Sequence, residues 1–147
     1  HLHVGVRGVE MKYTPEFQSA LMEYLLDNIE KVPDSVVTRW RTIGEDGAGA
    51  RYFRPIIAHD KYTFVHYHTR CNTWEFRCFG NVRNKSDAVR CLKLAIRAML
   101  YAYRVTRAGQ APIVNHLDVN TKLGRDIIKC IIKRQPLSKV IAASKGV

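Results

Sequence analysis

Residues 51–79 read RYFRPIIAHDKYTFVHYHTRCNTWEFRCF, and residues 86–104 read SDAVRCLKLAIRAMLYAYR. The first stretch holds three runs rich in Tyr, Phe, Ile, Val, Thr and Trp: Arg51–Ala58, Tyr62–Thr69 and Thr73–Phe79. These residue types fit a pleated, half-buried surface. The separators, His59–Lys61 and Arg70–Asn72, are long enough only for hairpins. The spacing therefore predicts a three-stranded antiparallel meander, with Pro55 marking its first strand as an edge or a bulge. The second stretch reads as a helix. Ser86 is placed to cap it, and Asp87 suits the positive end of the helix dipole. Ala88, Leu92, Ala95, Met99 and Ala102 recur at spacings of three and four, a narrow stripe that can lie close on a sheet. Arg90, Lys93, Arg97 and Arg104 share the other side. Meander and helix together predict an α+β fold.

Flanking segments extend this unit. Residues 2–7 alternate apolar and polar as a short strand. Thr14, Pro15 and Glu16 form a helix start, and Phe17, Leu21, Leu25 and Ile29 follow at spacing four, an apolar stripe for the core. Pro33 ends that helix. Residues 35–43 alternate again, predicting a strand, and Gly44–Gly49 is a flexible loop. Gly109 and Pro112 interrupt the chain after the second helix. A third helix is expected over 121–134, with Leu123, Ile127, Ile128 and Ile131 inward and Lys122, Arg125, Lys129, Lys133 and Arg134 outward. Pro136 stops it, and the tail ends in small residues, Ala142–Val147. Three parts result: 1–50 (strand, helix, strand), 51–104 (meander plus helix) and 105–147 (basic C-terminal extension).

The charge of this 147-residue chain is unevenly spread. It carries 24 Lys and Arg against 13 Asp and Glu, a formal +11. Residues 1–50 hold 5 basic and 8 acidic side chains, residues 51–103 hold 10 and 3, and residues 104–147 hold 9 and 2. A surplus confined to the last two thirds points to a polyanionic partner, because Lys and Arg gain by displacing counterions condensed on phosphates. Apolar residues make up 46%, enough for a core. No apolar run reaches the ~18 residues of a membrane span, so no membrane partner is expected. Cys71, Cys78, Cys91 and Cys130 have no C-x-x-C spacing and read as free thiols. His1 in first place predicts a processed chain or a fragment, from which a targeting peptide would already be gone.

Catalytic constellations do not assemble. His66 and His68 share one side of a strand but lack a third ligand, so no metal is expected. The glycine-rich Gly44–Gly49 precedes a strand rather than a helix, which makes it a poor phosphate cradle. Carboxylates are sparse where the chain is basic, and no nucleophile motif is present. The reading is non-enzymatic, with no cofactor and no small-molecule substrate. Tyr52, Tyr62, Tyr67, Trp74 and Phe79 interleave with Arg51, Arg54, Arg70 and Arg77, a pattern suited to base stacking and phosphate contact.

Residues 51–104 resemble AP2/ERF-type nucleic-acid-binding domains, in which a three-stranded meander packs on one helix. Trp74–Phe79 looks like that family's third strand, Ser86–Ile96 like its helix, and Gly5–Val9 echoes the first-strand phrase of apicomplexan members. Tyr62–Thr69 departs from the family in lacking its Trp and Arg-rich pattern. The resemblance implies nucleic-acid contact through the sheet face away from the helix, which brings forward Arg51, Arg54, His66, His68, Trp74 and Arg77. It also implies a setting in which such domains are reused as proteins of the mitochondrial ribosome. The expectation is a structural subunit in the mitochondrial matrix, bound to ribosomal RNA and to neighbouring ribosomal proteins. Its helical cations would contact phosphates, which positions a protein without reading sequence. Two other readings stand beside it: a nuclear, sequence-specific binder of double-stranded DNA, and a non-catalytic protein-docking subunit of an organellar complex. The latter predicts an exposed apolar patch.

Overall fold

The computed structural model describes residues 1–41, 55, 57–80, 82–110 and 122–145. Among them are three strands, β1 (Leu2–Val4), β2 (Val65–His68) and β3 (Thr73–Phe76). Five α-helices accompany these: α1 (Pro15–Asp27), α2 (Asp34–Trp40), α3 (Lys85–Arg107), α4 (Lys122–Lys133) and α5 (Leu137–Lys145). The fold is α+β, as the sequence predicts, with an antiparallel sheet ordered β1-β3-β2.

The hairpin β2–β3 lies where the aromatic runs place it. Asn72 makes its turn in the left-handed conformation, at φ 52°, which Asn tolerates better than most residues. The Asn72 side chain then binds the N-terminal segment, accepting from the Met11 amide at 2.7 Å and donating to the Val9 carbonyl at 2.7 Å. The third strand differs from expectation. It is β1, whose Leu2 and Val4 register with Phe76 and Trp74. β3, not the run 62–69, is therefore central. Residues 51–54 and 56 of the expected first strand lie outside the described residues.

α1 begins as read, with the Thr14 hydroxyl accepting from the Phe17 amide at 3.2 Å. Nearly all of Phe17–Leu26 is buried, because α1 packs against α3, α4, α5 and β2; a helix covered on several sides needs no polar stripe. Pro33 does not end α1. A 3₁₀ turn at Ile29–Lys31 intervenes, and Pro33 opens α2. The strand expected over 35–43 is thus a helix up to Trp40, with residues 42 and 43 outside the described residues. Val36, Val37 and Trp40 are all buried, an i, i+1, i+4 pattern that suits a helix and cannot sit on one face of a strand. The Trp40 indole donates to the Cys78 carbonyl at 2.7 Å and fixes α2 below the hairpin.

α3 is capped by Asn84, whose side chain accepts from the Asp87 amide at 2.9 Å, not by Ser86. Its buried face is Cys91, Leu94, Ala95, Ala98, Met99, Ala102 and Val105. Ala88 and Leu92, expected inward, are exposed. Gly109, at φ 69°, closes the helix as expected, with Gln110 N–H donating to the Val105 carbonyl. α4 ends the same way at Arg134, φ 51°. The presumed tail is α5, its first turn bonded to the Pro136 carbonyl. Ile127, Cys130, Ile131, Leu137 and Val140 join the same buried core as α1 and the sheet.

Gln18 is the polar knot of this core and is fully buried. Its amide donates to the carbonyls of Ala58 and Val65, each at 2.9 Å, and accepts from Ala58 N–H at 3.0 Å and the Tyr13 hydroxyl at 2.9 Å. Gln18→Leu strands both backbone groups of Ala58. A buried group left unpaired costs about 1–3 kcal/mol; Ala58 is half-buried, so urea unfolding of this variant should show a loss of about 1–2 kcal/mol.

Candidate nucleic-acid interface

The residues singled out from sequence fall into two sets. The sheet set does not assemble. Arg51 and Arg54 lie outside the described residues. Trp74 is 0% exposed, and its ring stacks on Phe17 at 5.3 Å, with Tyr67 at 5.6 Å. This corrects its assignment as a contact residue. Strand alternation puts Trp74 and Phe76 on the helix-covered face and Glu75 and Arg77 on the other. On that other face Arg77 is half-buried and paired with Glu75 at 3.0 Å. Glu75 also faces His1 Nδ1 at 2.9 Å. A buried carboxylate thus sits at the middle of the face the resemblance points to. It offsets the Arg77 charge and disfavours a phosphate there.

Histidines surround this carboxylate. His66 and His3 both register with Glu75, and the His66 ring lies about 6 Å from those of His59 and His68. No group of three or more His, Cys, Asp or Glu among the described residues could hold a metal ion. Burial lowers the His66 pKa, opposed by Glu75 and helped by His59, His68 and Arg77. The four cysteines are free, and only Cys71 is exposed. Burial pushes the Cys91 and Cys130 thiols up to about 11 and about 12, where the nucleophilic thiolate is scarce.

The helical set is nearly all at the surface. Arg90, Lys93, Arg97 and Arg104 are exposed on α3, with Arg104 over the Tyr101 ring at 5.5 Å. Lys122, Arg125, Lys129 and Lys133 are exposed on α4. Their spacing of three, four and four makes one line about 16 Å long, from the ~1.5 Å rise per residue. Arg134 leaves this line. It pairs with Asp34 and donates to the Val32 carbonyl, tying the end of α4 to the turn before α2. It serves as a clamp within the fold, its guanidinium engaged by the Asp34 carboxylate and the Val32 carbonyl.

Sequence reasoning missed a second feature of α3. Val89, Leu92, Ile96 and Leu100 are exposed by 41%, 42%, 44% and 65%. Their spacing of three, four and four makes an apolar line away from the core. The signal was present: residues 85–107 hold more large apolar side chains than one buried face accepts. Lys139 on α5 is a further exposed cation.

No described helix is long and apolar enough to cross a membrane. No family model, curated protein or solved structure matches the chain.

The lowered His66 pKa has a sign that can be checked. The unfolded imidazole takes its proton below about pH 6.5 while the folded one resists it. Stability should therefore fall as pH drops from about 6.5 toward 5. His66→Gln should flatten that part of a melting-temperature profile.

Proposed function

We propose that the chain is a non-enzymatic subunit of a ribonucleoprotein that binds structured RNA through α4. The observation that carries this reading is the line Lys122, Arg125, Lys129 and Lys133, exposed along one helix face. Lys122, Lys129 and Lys133 have no carboxylate partner among the described residues. Exposed cations at regular spacing suit a phosphate backbone, and the gain comes from counterion release. The resemblance to AP2-like proteins of mitochondrial ribosomes suggests ribosomal RNA as the partner and the mitochondrial matrix as the setting.

The α3 cations are less suited to this role. Arg90, Lys93, Arg97 and Arg104 stand beside the apolar line of Val89, Leu92, Ile96 and Leu100, which a phosphate backbone does not cover. Sequence-specific reading of duplex DNA has less support, since Trp74 is in the core and Arg77 is paired. The protein-docking reading gains from the apolar line on α3 and is compatible with RNA contact on α4.

Fluorescence anisotropy with a structured RNA, titrated from low to high salt, tests the main reading. Lys122→Gln, Lys129→Gln and Lys133→Gln combined should weaken binding and lower the log–log salt slope by about 2–3, at ~0.7–0.9 for each phosphate contact. An unchanged slope, or tighter binding to one duplex DNA sequence that survives moderate salt, would overturn it.

A further inference from the structure

The apolar line on α3 is framed by charge of one sign. Helical spacing places Lys85 in line with it at the start of the helix and Arg107 at the end, while Arg90, Lys93, Arg97 and Arg104 run along one flank. Asp87 is the only acidic side chain of the helix. The line also meets two open depressions. One, of about 480 Å³, is lined by Lys85, Ser86, Val89, Arg90 and Lys93. The other, of about 280 Å³, is lined by Tyr24, Arg97, Leu100, Tyr101 and Arg104. Each joins one exposed aliphatic side chain to cations. Val89 and Leu100 are eleven residues apart, about 16 Å along the axis.

From this arrangement we infer that the outer face of α3 docks an amphipathic helix of a partner protein, one with a flank of Asp or Glu. Two large apolar side chains about three turns apart on the partner would enter the two depressions, the helix-in-groove mode of recognition. Its carboxylates would meet Arg90, Lys93, Arg97 and Arg104, which fixes orientation and excludes cationic helices. A second copy of this chain fits poorly, because α3 against α3 would bring no row of carboxylates to the cations of either copy. Covering the four aliphatic side chains supplies the apolar gain that an exposed line of this kind otherwise forgoes.

The test uses the full chain and a labelled synthetic helix of about 18 residues, with Leu at i, i+4, i+7 and i+11 and Glu along one flank. Anisotropy should show saturable binding. An isomer with Lys in place of Glu should bind at least ten times more weakly, as should a version with Ala in place of Leu. Ile96→Ser with Leu100→Ser should weaken binding at least tenfold with an unchanged circular dichroism spectrum and only the small drop in melting temperature that serine costs an exposed helix. Lys93→Glu with Arg97→Glu should shift preference toward the Lys-flanked helix. Equal binding of the Leu and Ala peptides would overturn the proposal, because it would reduce the face to bare electrostatics. A fall in melting temperature of the Ser variant well beyond the small cost of serine's weaker helix propensity would overturn it too, by showing the line to be covered within the chain. Loss of structured-RNA binding by the Ser variant would assign the face to RNA instead. RNA affinity kept by the Ser variant and lost by the α4 triple variant separates this inference from the RNA reading.

Discussion

A helix buried on several sides leaves its few polar atoms without water, and α1 meets this constraint at Gln18. The carbonyl and amide of one side chain join both backbone groups of Ala58, the Val65 carbonyl and the Tyr13 hydroxyl. Partners at the edge of β2 and in the loop before it thereby acquire one position relative to α1. The remaining layers are set against α1 in turn. Tyr101 of α3 donates to Glu23 at 2.7 Å, and both the amide and the hydroxyl of Ser138, at the start of α5, donate to Asp27. Apolar packing alone is tolerant of sliding. Directional bonds to buried groups are not, since each misplaced partner costs the full desolvation of the group left alone.

Much of this was legible in the residues. The Thr14–Pro15 start, the hairpin around Asn72, the helix over 86–104 and the α+β class follow from capping, turn chemistry and periodicity. What was not legible shares one cause: local patterns that two structures satisfy equally. Residues 35–43 alternate well enough for a strand, with Val36 and Trp40 on one face and Val37 on the other, and only burial of all three selects a helix. Residues 137–145 are few, and α5 holds because Leu137 and Val140 find a core supplied by α1 and α4. In the same way, β1 is three residues long and takes its place from the free edge of β3.

The candidate site was legible to a different degree. Cations at helical spacing were read from the sequence, and eight of those nine are at the surface. Arg134 was not separable from them, because its role depends on Asp34 and the Val32 carbonyl, about a hundred residues away. Trp74 shows the limit of a strand-level reading. Alternation assigns it to one of two faces, and only the helix packed above decides which. The exposed line on α3 was hidden for a related reason. Leu92 and Leu94 both fit an apolar stripe, and the choice between them rotates the helix.

The acidic and basic groups have been used in different ways, and this separation makes the surface what it is. Six of the described carboxylates are engaged within the fold. Glu23 accepts from Tyr101, Asp27 from Ser138, Asp60 from the Tyr62 amide and Asp126 from Ser144, while Asp34 pairs with Arg134 and Glu75 with Arg77. Glu16 and Asp87 stand in the first turns of α1 and α3, where the helix dipole favours them. Most helical cations have no such internal duty. The fold therefore ties most of its described carboxylates into internal bonds and leaves cations in exposed rows on α3 and α4. Rows differing in their neighbours select different partners. Cations with one isolated aliphatic neighbour, Ile132 on α4, favour a phosphate backbone, which has little apolar surface to bury. Cations beside an aliphatic line favour a partner that brings both carboxylates and side chains able to leave water.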